Sequence, residues 1–314
     1  MTPYTLLDEF LTAKRAAGLS ERTLRWYEDM IRTYLAWRAE KKSNQVVWDA
    51  PQTIEAFLAQ ERASGVTAAT IQARYRALSA LFEWRAKRAK RLGQPEPPVP
   101  TRVVERPRVP KKAVEHVTVE EFRQLYDSIA GDHWTDWRDR TLLLILFWSG
   151  LRVSEAIRLS PHHIDTRSNL ILVERGKGGK ARQVPCVPAL GRVLVRYLYA
   201  RPPYPGPELF VSNDGASGVR GPLSVEGVRQ MLRRRCKTAN LRYMNPHAFR
   251  HGFAMALLNA GMDLSAISAA MGHSSEQVTS AIYARWITTG LSREYEEARK
   301  RIEMEQGMGH RQYG

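Results

Sequence analysis

The chain has 314 residues and a formal net charge of +16 at pH 7. A basic excess of this size favours a polyanionic partner, most simply the phosphate backbone of nucleic acid. A membrane is disfavoured as the alternative, because the longest apolar run, residues 142–148, is far too short to cross a bilayer and no secretory signal opens the chain.

The length suits two domains better than one core. Cys186 and Cys236 are the only cysteines, and they lack the CxxC spacing of a redox or metal motif. Without a secretory context we expect both thiols to be reduced and to have no role, in a cytoplasmic protein.

Residues 1–90 contain an internal repeat at a spacing of 47 positions. In each copy a short helical segment ends at a glycine, Gly18 or Gly65, which suits a left-handed C-cap. Ser20 and Thr67 follow, and each can accept hydrogen bonds from the first amides of the next helix. Apolar residues then recur at helical spacing, so the two copies predict two stacked helical hairpins. A chance similarity between amphipathic helices is the alternative, and it leaves the helical prediction unchanged.

Residues 91–116 are predicted to form a basic, proline-rich linker. Prolines alternate with cationic side chains from residue 85 to residue 112, which is typical of an extended connector. A solvated spacer is the simpler interpretation. We favour a connector that follows DNA phosphates, because two domains that close around a duplex need one.

A second domain is predicted over residues 117–297, followed by a tail of residues 298–314. Thr118 precedes its first helix, and Glu120 and Glu121 lie in the first turn, where the helix dipole favours acidic side chains. This domain is expected to be mostly helical.

Two segments of the second domain have distinct patterns. Residues 169–175 and 181–187 flank the turn GKGG and predict a pair of strands. Ser224 is expected to cap a helix that extends to about Thr238, with a cationic polar face. Such a face can be merely solvated, but this density of arginine favours DNA contact. The candidate DNA-binding residues of the whole chain are Arg74, Arg76, Arg182, Arg229, Arg233 and Arg234.

A set of side chains suited to phosphoryl transfer recurs along the second domain. Arginine grips two phosphate oxygens, histidine moves a proton near neutral pH, and a tyrosine oxygen can act as a covalent nucleophile. The set comprises Arg152 in GLRVSEAIRL, Lys177 in RGKGGKARQVP, His247 and Arg250 in NPHAFRHG, His273 after Met-Gly, and Tyr283 in AIYARW.

These motifs, in this order, resemble those of the tyrosine recombinases, the integrase family of DNA-breaking and rejoining enzymes. The resemblance covers nearly the whole chain, and the joint match is far more specific than HxxR alone. It implies a mainly α fold with a four-helix, SAM-like core-binding domain and a mostly helical catalytic domain with a small β-sheet. It also implies a specific site in double-stranded DNA, a tetramer on two such sites, and no cofactor or metal.

Arg152 and Arg250 are the predicted clamp on the scissile phosphate. Glu155 lies on the same helix face as Arg152 and is expected to orient it, although a structural role is nearly as good an interpretation. His247 and Arg250 are three positions apart, so that one helix face meets one phosphate. Zinc between His247 and His251 is disfavoured, because the sequence offers no carboxylate or third ligand nearby.

The remaining roles depend on the resemblance. Lys177 is the expected general acid for the leaving 5′ oxygen, with Lys180 as the local rival. His273 is expected to donate a hydrogen bond to a nonbridging oxygen, and Tyr283 is the expected nucleophile. Tyr295 is a less suitable alternative.

The chain departs from the family pattern in two places. Tyr283 lies ten residues after His273 rather than the usual nine, and Gly252 stands where the family often has Ser or Thr. A catalytically impaired DNA-binding regulator and a type IB topoisomerase-like enzyme are therefore alternatives to a recombinase. A start close to the core-binding domain favours a simple Xer-like recombinase, and the charged segment 292–306 could dock on a neighbouring protomer or stay solvated.

Overall fold

The computed structural model describes residues 2–40, 47–110, 114–174, 181–213, 215 and 218–271. The chain divides into two compact units, Met1–Lys112 and Ala113–Gly314. None of the described helices combines the length and the apolarity needed to cross a bilayer.

The first unit consists of two helical hairpins, as the repeat predicts. Gly18 and Gly65 both adopt φ +79°, the left-handed conformation expected of a glycine after a helix. The hydroxyls of Ser20 and Thr67 each accept the amide N–H three residues on, at 3.3 Å. The helices are α1 (Pro3–Ala16), α2 (Glu21–Glu40), α3 (Pro51–Ala63) and α4 (Ala68–Arg91).

The two hairpins share one aromatic core. Phe10 and Phe57 occupy equivalent positions of the repeat, and both are completely buried. The ring of Phe10 packs against Trp84 of the second copy, with ring centroids 5.5 Å apart. The ring of Phe57 packs against Trp37 of the first copy, with ring centroids 5.3 Å apart. Each phenylalanine thus meets the tryptophan of the other hairpin, so neither hairpin completes its core alone.

Part of the proline-rich segment packs on the first unit. Val99 and Val104 are 8% and 5% exposed and belong to its core. The Tyr75 hydroxyl donates to the carbonyl of Thr101 at 2.7 Å, and the Gln72 amide donates to the carbonyl of Pro107 at 2.8 Å. Residues 99–107, predicted as part of an extended linker, are therefore tied to the four-helix bundle.

The second unit is mostly helical with two small antiparallel sheets, which confirms the predicted fold class. The predicted strand pair is observed at Leu170–Val173 and Arg182–Pro185, where a short strand, Ile164–Asp165, extends it to three strands. A second pair, Val211–Asn213 with Val219–Pro222, was not predicted. The elements are α5 (Val119–Asp127), α6 (Trp134–Trp148), α7 (Val153–Ala156), β1 (Ile164–Asp165), β2 (Leu170–Val173), β3 (Arg182–Pro185), α8 (Ala189–Ala200), β4 (Val211–Asn213), β5 (Val219–Pro222), α9 (Val225–Thr238), α10 (Pro246–Asn259) and α11 (Leu264–Met271).

Helix α6 forms the centre of the second unit. Its apolar run is buried on all sides, with Leu143, Ile145 and Phe147 completely inaccessible to solvent. A helix that is apolar around its whole circumference must be enclosed by neighbours, and α8 and α10 pack against it. The run that the sequence shows as LLLILFW is thus a core helix, and the site lies at its carboxyl end.

Helix α9 is joined to α6 through a buried carboxylate. Asp139 is 0% exposed and accepts hydrogen bonds from Arg138 at 2.7 Å and from Arg235 at 2.8 Å. Arg234 also donates to it at 3.2 Å, and Arg235 reaches Asp136 at 2.5 Å. Because α9 carries the predicted DNA-binding arginines, this network holds their helix in place.

Candidate active site

A glycine turn delivers Arg152 to the end of α6. Gly150 adopts φ +59°, and an added Cβ would lie 2.3 Å from the ring of Phe253. Both the backbone conformation and the space therefore demand glycine here. Leu151 is completely buried, and Arg152 immediately precedes α7.

Glu155 holds Arg152 from one turn further along the chain. Its carboxylate accepts the backbone N–H of Arg152 at 2.9 Å and the Nη1 of the same residue at 2.9 Å. Arg182 of β3 donates both terminal nitrogens to the same carboxylate, at 3.1 and 2.8 Å. Burial raises the pKa of Glu155, but the hydrogen bonds from Arg182 and Arg152 outweigh it, so the pKa is lowered and the group stays ionised.

Helix α10 presents His247 and Arg250. The Asn245 side chain accepts the amide N–H groups of His247 and Ala248 at 2.9 and 3.1 Å, and this cap fixes where the helix begins. Arg250 is 5% exposed. Its guanidinium donates to the carbonyls of Gly150 and Met271, so it touches both the turn that delivers Arg152 and the end of α11.

The cationic surroundings act on two histidines. Partial burial lowers the pKa of His247, and the positive charge of Arg250 lowers it further. The charges of Arg229 and Arg152 act in the same direction. His247 is therefore neutral at pH 7, able to accept or donate one proton. Burial lowers the pKa of His251 to about 4, and the positive charge of Arg250 acts in the same direction.

Gly252 sits at a close approach of two chain segments. An added Cβ would lie 2.3 Å from the carbonyl oxygen of Val117 and 2.9 Å from the ring of Phe147. The amide of Val117 also donates to the carbonyl of Ala248 at 3.0 Å. The space allows no side chain, which explains physically why glycine replaces Ser or Thr at this position.

The structure thus brings Arg152, Glu155, His247 and Arg250 together at the end of α6. Arg182, predicted to contact DNA, joins them through Glu155, and the sequence contained no signal for this contact. Lys177, Lys180, His273 and Tyr283 lie outside the described residues, as do Tyr295 and the predicted tail. Within the described ranges no cluster of three His, Cys, Asp or Glu side chains could hold a metal ion.

The other candidate DNA-binding residues differ in their surroundings. In the first unit Arg76 is exposed, whereas Arg74 forms an ion pair with Glu61 and its side chain is 15% exposed. Arg74 thus has a structural contact that the sequence did not predict.

On α9 the cationic face is partly neutralised. Arg229 and Arg233 pair with Glu226 at 3.3 and 3.0 Å, with about half of each side chain exposed. Arg234 is 59% exposed and reaches the buried Asp139. All three remain accessible to a ligand, and their contact with DNA stays a prediction.

Comparison with known proteins identifies the family of this chain. The model of the phage integrase family matches residues 115–288, and that of the phage integrase N-terminal SAM-like domain matches residues 6–90. The tyrosine recombinase XerA of Thermococcus kodakarensis is 31% identical over 96% of this chain and 97% of its own length. The tyrosine recombinase XerD of Staphylococcus haemolyticus is 29% identical over 93% of this chain and 98% of its own length.

Solved structures show the same fold. The XerH recombinase bound to palindromic difH superposes with a TM-score of 0.71 at 21% identity, covering 90% of this chain and 81% of that one. A lambda integrase dimer bound to a COC′ core site superposes with a TM-score of 0.67 at 18% identity, covering 88% of this chain and 97% of that one. Because the two family models match the two units in order and the relatives extend over nearly the whole chain, the protein belongs to the phage integrase family, the tyrosine recombinases.

Proposed function

We propose that this recombinase cuts and rejoins double-stranded DNA at a specific site through a 3′-phosphotyrosyl intermediate on Tyr283. The Tyr283 hydroxyl gives up its proton as its oxygen attacks the scissile phosphorus, the bond to the 5′ oxygen breaks, and that oxygen takes up a proton and leaves as a hydroxyl. The 5′ hydroxyl of a partner strand then attacks the phosphotyrosine and releases the tyrosine. The covalent link conserves the bond energy, so the exchange needs no nucleotide cofactor.

The meeting of Arg152 and Arg250 is the observation that carries this proposal. The two arginines come from segments about a hundred positions apart, and Arg250 donates to the carbonyl of the glycine turn that delivers Arg152. Two guanidiniums held in place before the substrate arrives can neutralise the nonbridging oxygens as charge develops on the phosphorane. Such preorganised charge has no use in a merely structural contact.

The neutral His247 supports the same reaction. With its pKa lowered by its surroundings, it offers a proton acceptor or a hydrogen-bond donor beside the two arginines at pH 7. Lys177 is proposed as the acid for the leaving 5′ oxygen, and His273 as a further donor to a nonbridging oxygen. Both assignments follow from the family motifs.

The DNA partner and the assembly are proposed on similar grounds. The net charge of +16 favours a polyanion, and the XerH and lambda integrase structures of the same fold are bound to DNA. We propose a specific duplex site and a tetramer that brings two sites together.

Covalent capture tests the proposal. A nicked duplex is first selected from a random-sequence library for attachment to the wild-type chain in denaturant. Tyr283→Phe should abolish attachment and leave binding intact, because only the nucleophilic oxygen is removed. Tyr295→Phe is the matched control and should attach normally. If the wild type never attaches, or if Tyr283→Phe still does, the proposal is wrong.

A further inference from the structure

Glu155 is the meeting point of two arginines from different elements. Its carboxylate is 6% exposed and accepts four hydrogen bonds, two from Arg152 and two from Arg182. The pair with Arg182 is bidentate, with each oxygen bound by one terminal nitrogen. A bidentate pair fixes the plane of the carboxylate as well as its distance.

Arg182 is directed inward. Its side chain is 16% exposed, and both terminal nitrogens lie on the carboxylate. Its backbone is equally constrained, since β3 begins at Arg182 and pairs it with Val173 of β2. A guanidinium that is held by a buried carboxylate and a sheet is poorly placed to follow DNA phosphates.

The two arginines do not play equal parts around this carboxylate. Arg152 is 24% exposed, precedes α7 and acts electrostatically on His247, whereas Arg182 is 16% exposed and belongs to strand β3. If Glu155 were held by Arg152 alone, its carboxylate could rotate about the side-chain torsions and carry the Arg152 guanidinium with it. The contact from the sheet removes that freedom.

We propose that Arg182 is a positioning residue: it locks the Glu155 carboxylate, which aims Arg152 at the scissile phosphate, and it makes no phosphate contact of its own. This inference rests on the proposed function. It replaces the sequence-based prediction of a DNA-binding role for Arg182 with an action through Glu155.

Salt dependence of binding separates the two roles. The logarithm of the DNA-binding constant falls linearly with the logarithm of the salt concentration, and each phosphate contact that is lost makes this slope shallower by about 0.9. On the selected nicked duplex, Arg182→Ala should leave that slope unchanged. Arg229→Ala, which removes an exposed arginine of α9, serves as the positive control and should lower the slope. A drop for Arg182→Ala that equals the control's would make Arg182 a DNA contact and overturn the inference.

Single-turnover cleavage then tests the route of action. A clamp displaced by about 1 Å costs about 100-fold in rate, so Arg182→Ala should cleave about 100-fold more slowly at saturating protein. Arg182→Lys keeps the charge but not the bidentate fork, and it should fall in between. If Arg182 acts only through Arg152, then Arg152→Ala combined with Arg182→Ala should be no slower than Arg152→Ala alone.

The outcomes can be told apart. Full multiplication of the two losses in the double variant, or wild-type cleavage by Arg182→Ala, would sink the positioning role while leaving the proposed function intact. Wild-type activity in Arg152→Ala would instead count against the proposed clamp itself. Should Arg182→Ala fail to fold, Arg182→Gln carries both tests, since it removes the charge but keeps a side chain that can donate a hydrogen bond to Glu155.

Discussion

The second unit contains two arginine clusters that are built in different ways. Around the buried Asp139, carboxylates pair with the arginines, and α9 is fixed on α6. At the end of α6, two backbone carbonyls orient Arg250. A carboxylate brings a negative charge to the guanidinium that it orients, whereas a carbonyl orients the guanidinium without adding a formal charge.

The difference explains which cluster can act on a phosphate. The Asp139 cluster resembles a closed ion-pair network, whose net contribution is to hold two helices together. The Arg152 and Arg250 cluster contains Glu155 as its buried carboxylate. Burial and, after it, the positive charge of Arg250 lower the pKa of both His247 and His251. Positive charge that is oriented before the substrate arrives is what a phosphorane requires.

Arg250→Ala should produce the largest effect on chemistry. Loss of one preorganised donor to developing charge costs about 1,000-fold in rate, while the affinity for the nicked duplex should change little because many other cations bind the backbone. Single-turnover cleavage and equilibrium binding measure the two effects. Equal losses in rate and affinity would make Arg250 a binding residue and erase the contrast with the Asp139 cluster.

Asp139→Ala should act on stability instead. Removal of the buried carboxylate leaves Arg138 and Arg235 without their shared partner, and breaking such a buried pair costs about 4 kcal/mol of unfolding free energy. Glu226→Ala, which removes an exposed partner of Arg229, is the matched control and should cost under about 1 kcal/mol. Urea unfolding of both variants checks the difference, and similar losses would contradict a structural network.

Gly150→Ala tests the backbone that presents Arg152. The positive φ and the overlap with Phe253 together should destabilise the second unit by about 3 kcal/mol. Gly261→Ala has the same sign of φ, +82°, with nothing within 4 Å of the added Cβ, so it should cost only about 1 kcal/mol. Thermal unfolding of the two variants compares them; equal losses would show that the contact with Phe253 is unimportant.

The smallest effect is a pH dependence of stability from His251. Its pKa of about 4 in the folded chain lies below the ordinary value of 6.5, so acid favours the unfolded state. This contribution is complete above about pH 6.5 and is lost as the pH falls to about 4, and it amounts to about 1 kcal/mol after allowance for solvent. His251→Gln should reduce the pH dependence of the unfolding free energy over that range. An unchanged pH dependence in this variant would show that another group is responsible.

Local patterns in the sequence determined most of the architecture. The caps at Ser20 and Thr67, the capping box of Thr118 with Glu121, and the helix that begins after Ser224 all depend on residues a few positions apart. The order of the motifs likewise identifies the family and, within it, Arg152, His247 and Arg250 as site residues.

The tertiary structure alone decided how the charges are shared. Arg235 and Asp139 are 96 positions apart, and Arg182 and Glu155 are 27 apart, so no helical or strand periodicity relates them. The sequence therefore showed Arg182 only as one more cation in a basic protein. Its role depends on which carboxylate the fold brings within 3 Å, and that is set by the packing of β3 beside α7, because an ion pair forms according to distance in space and not along the chain.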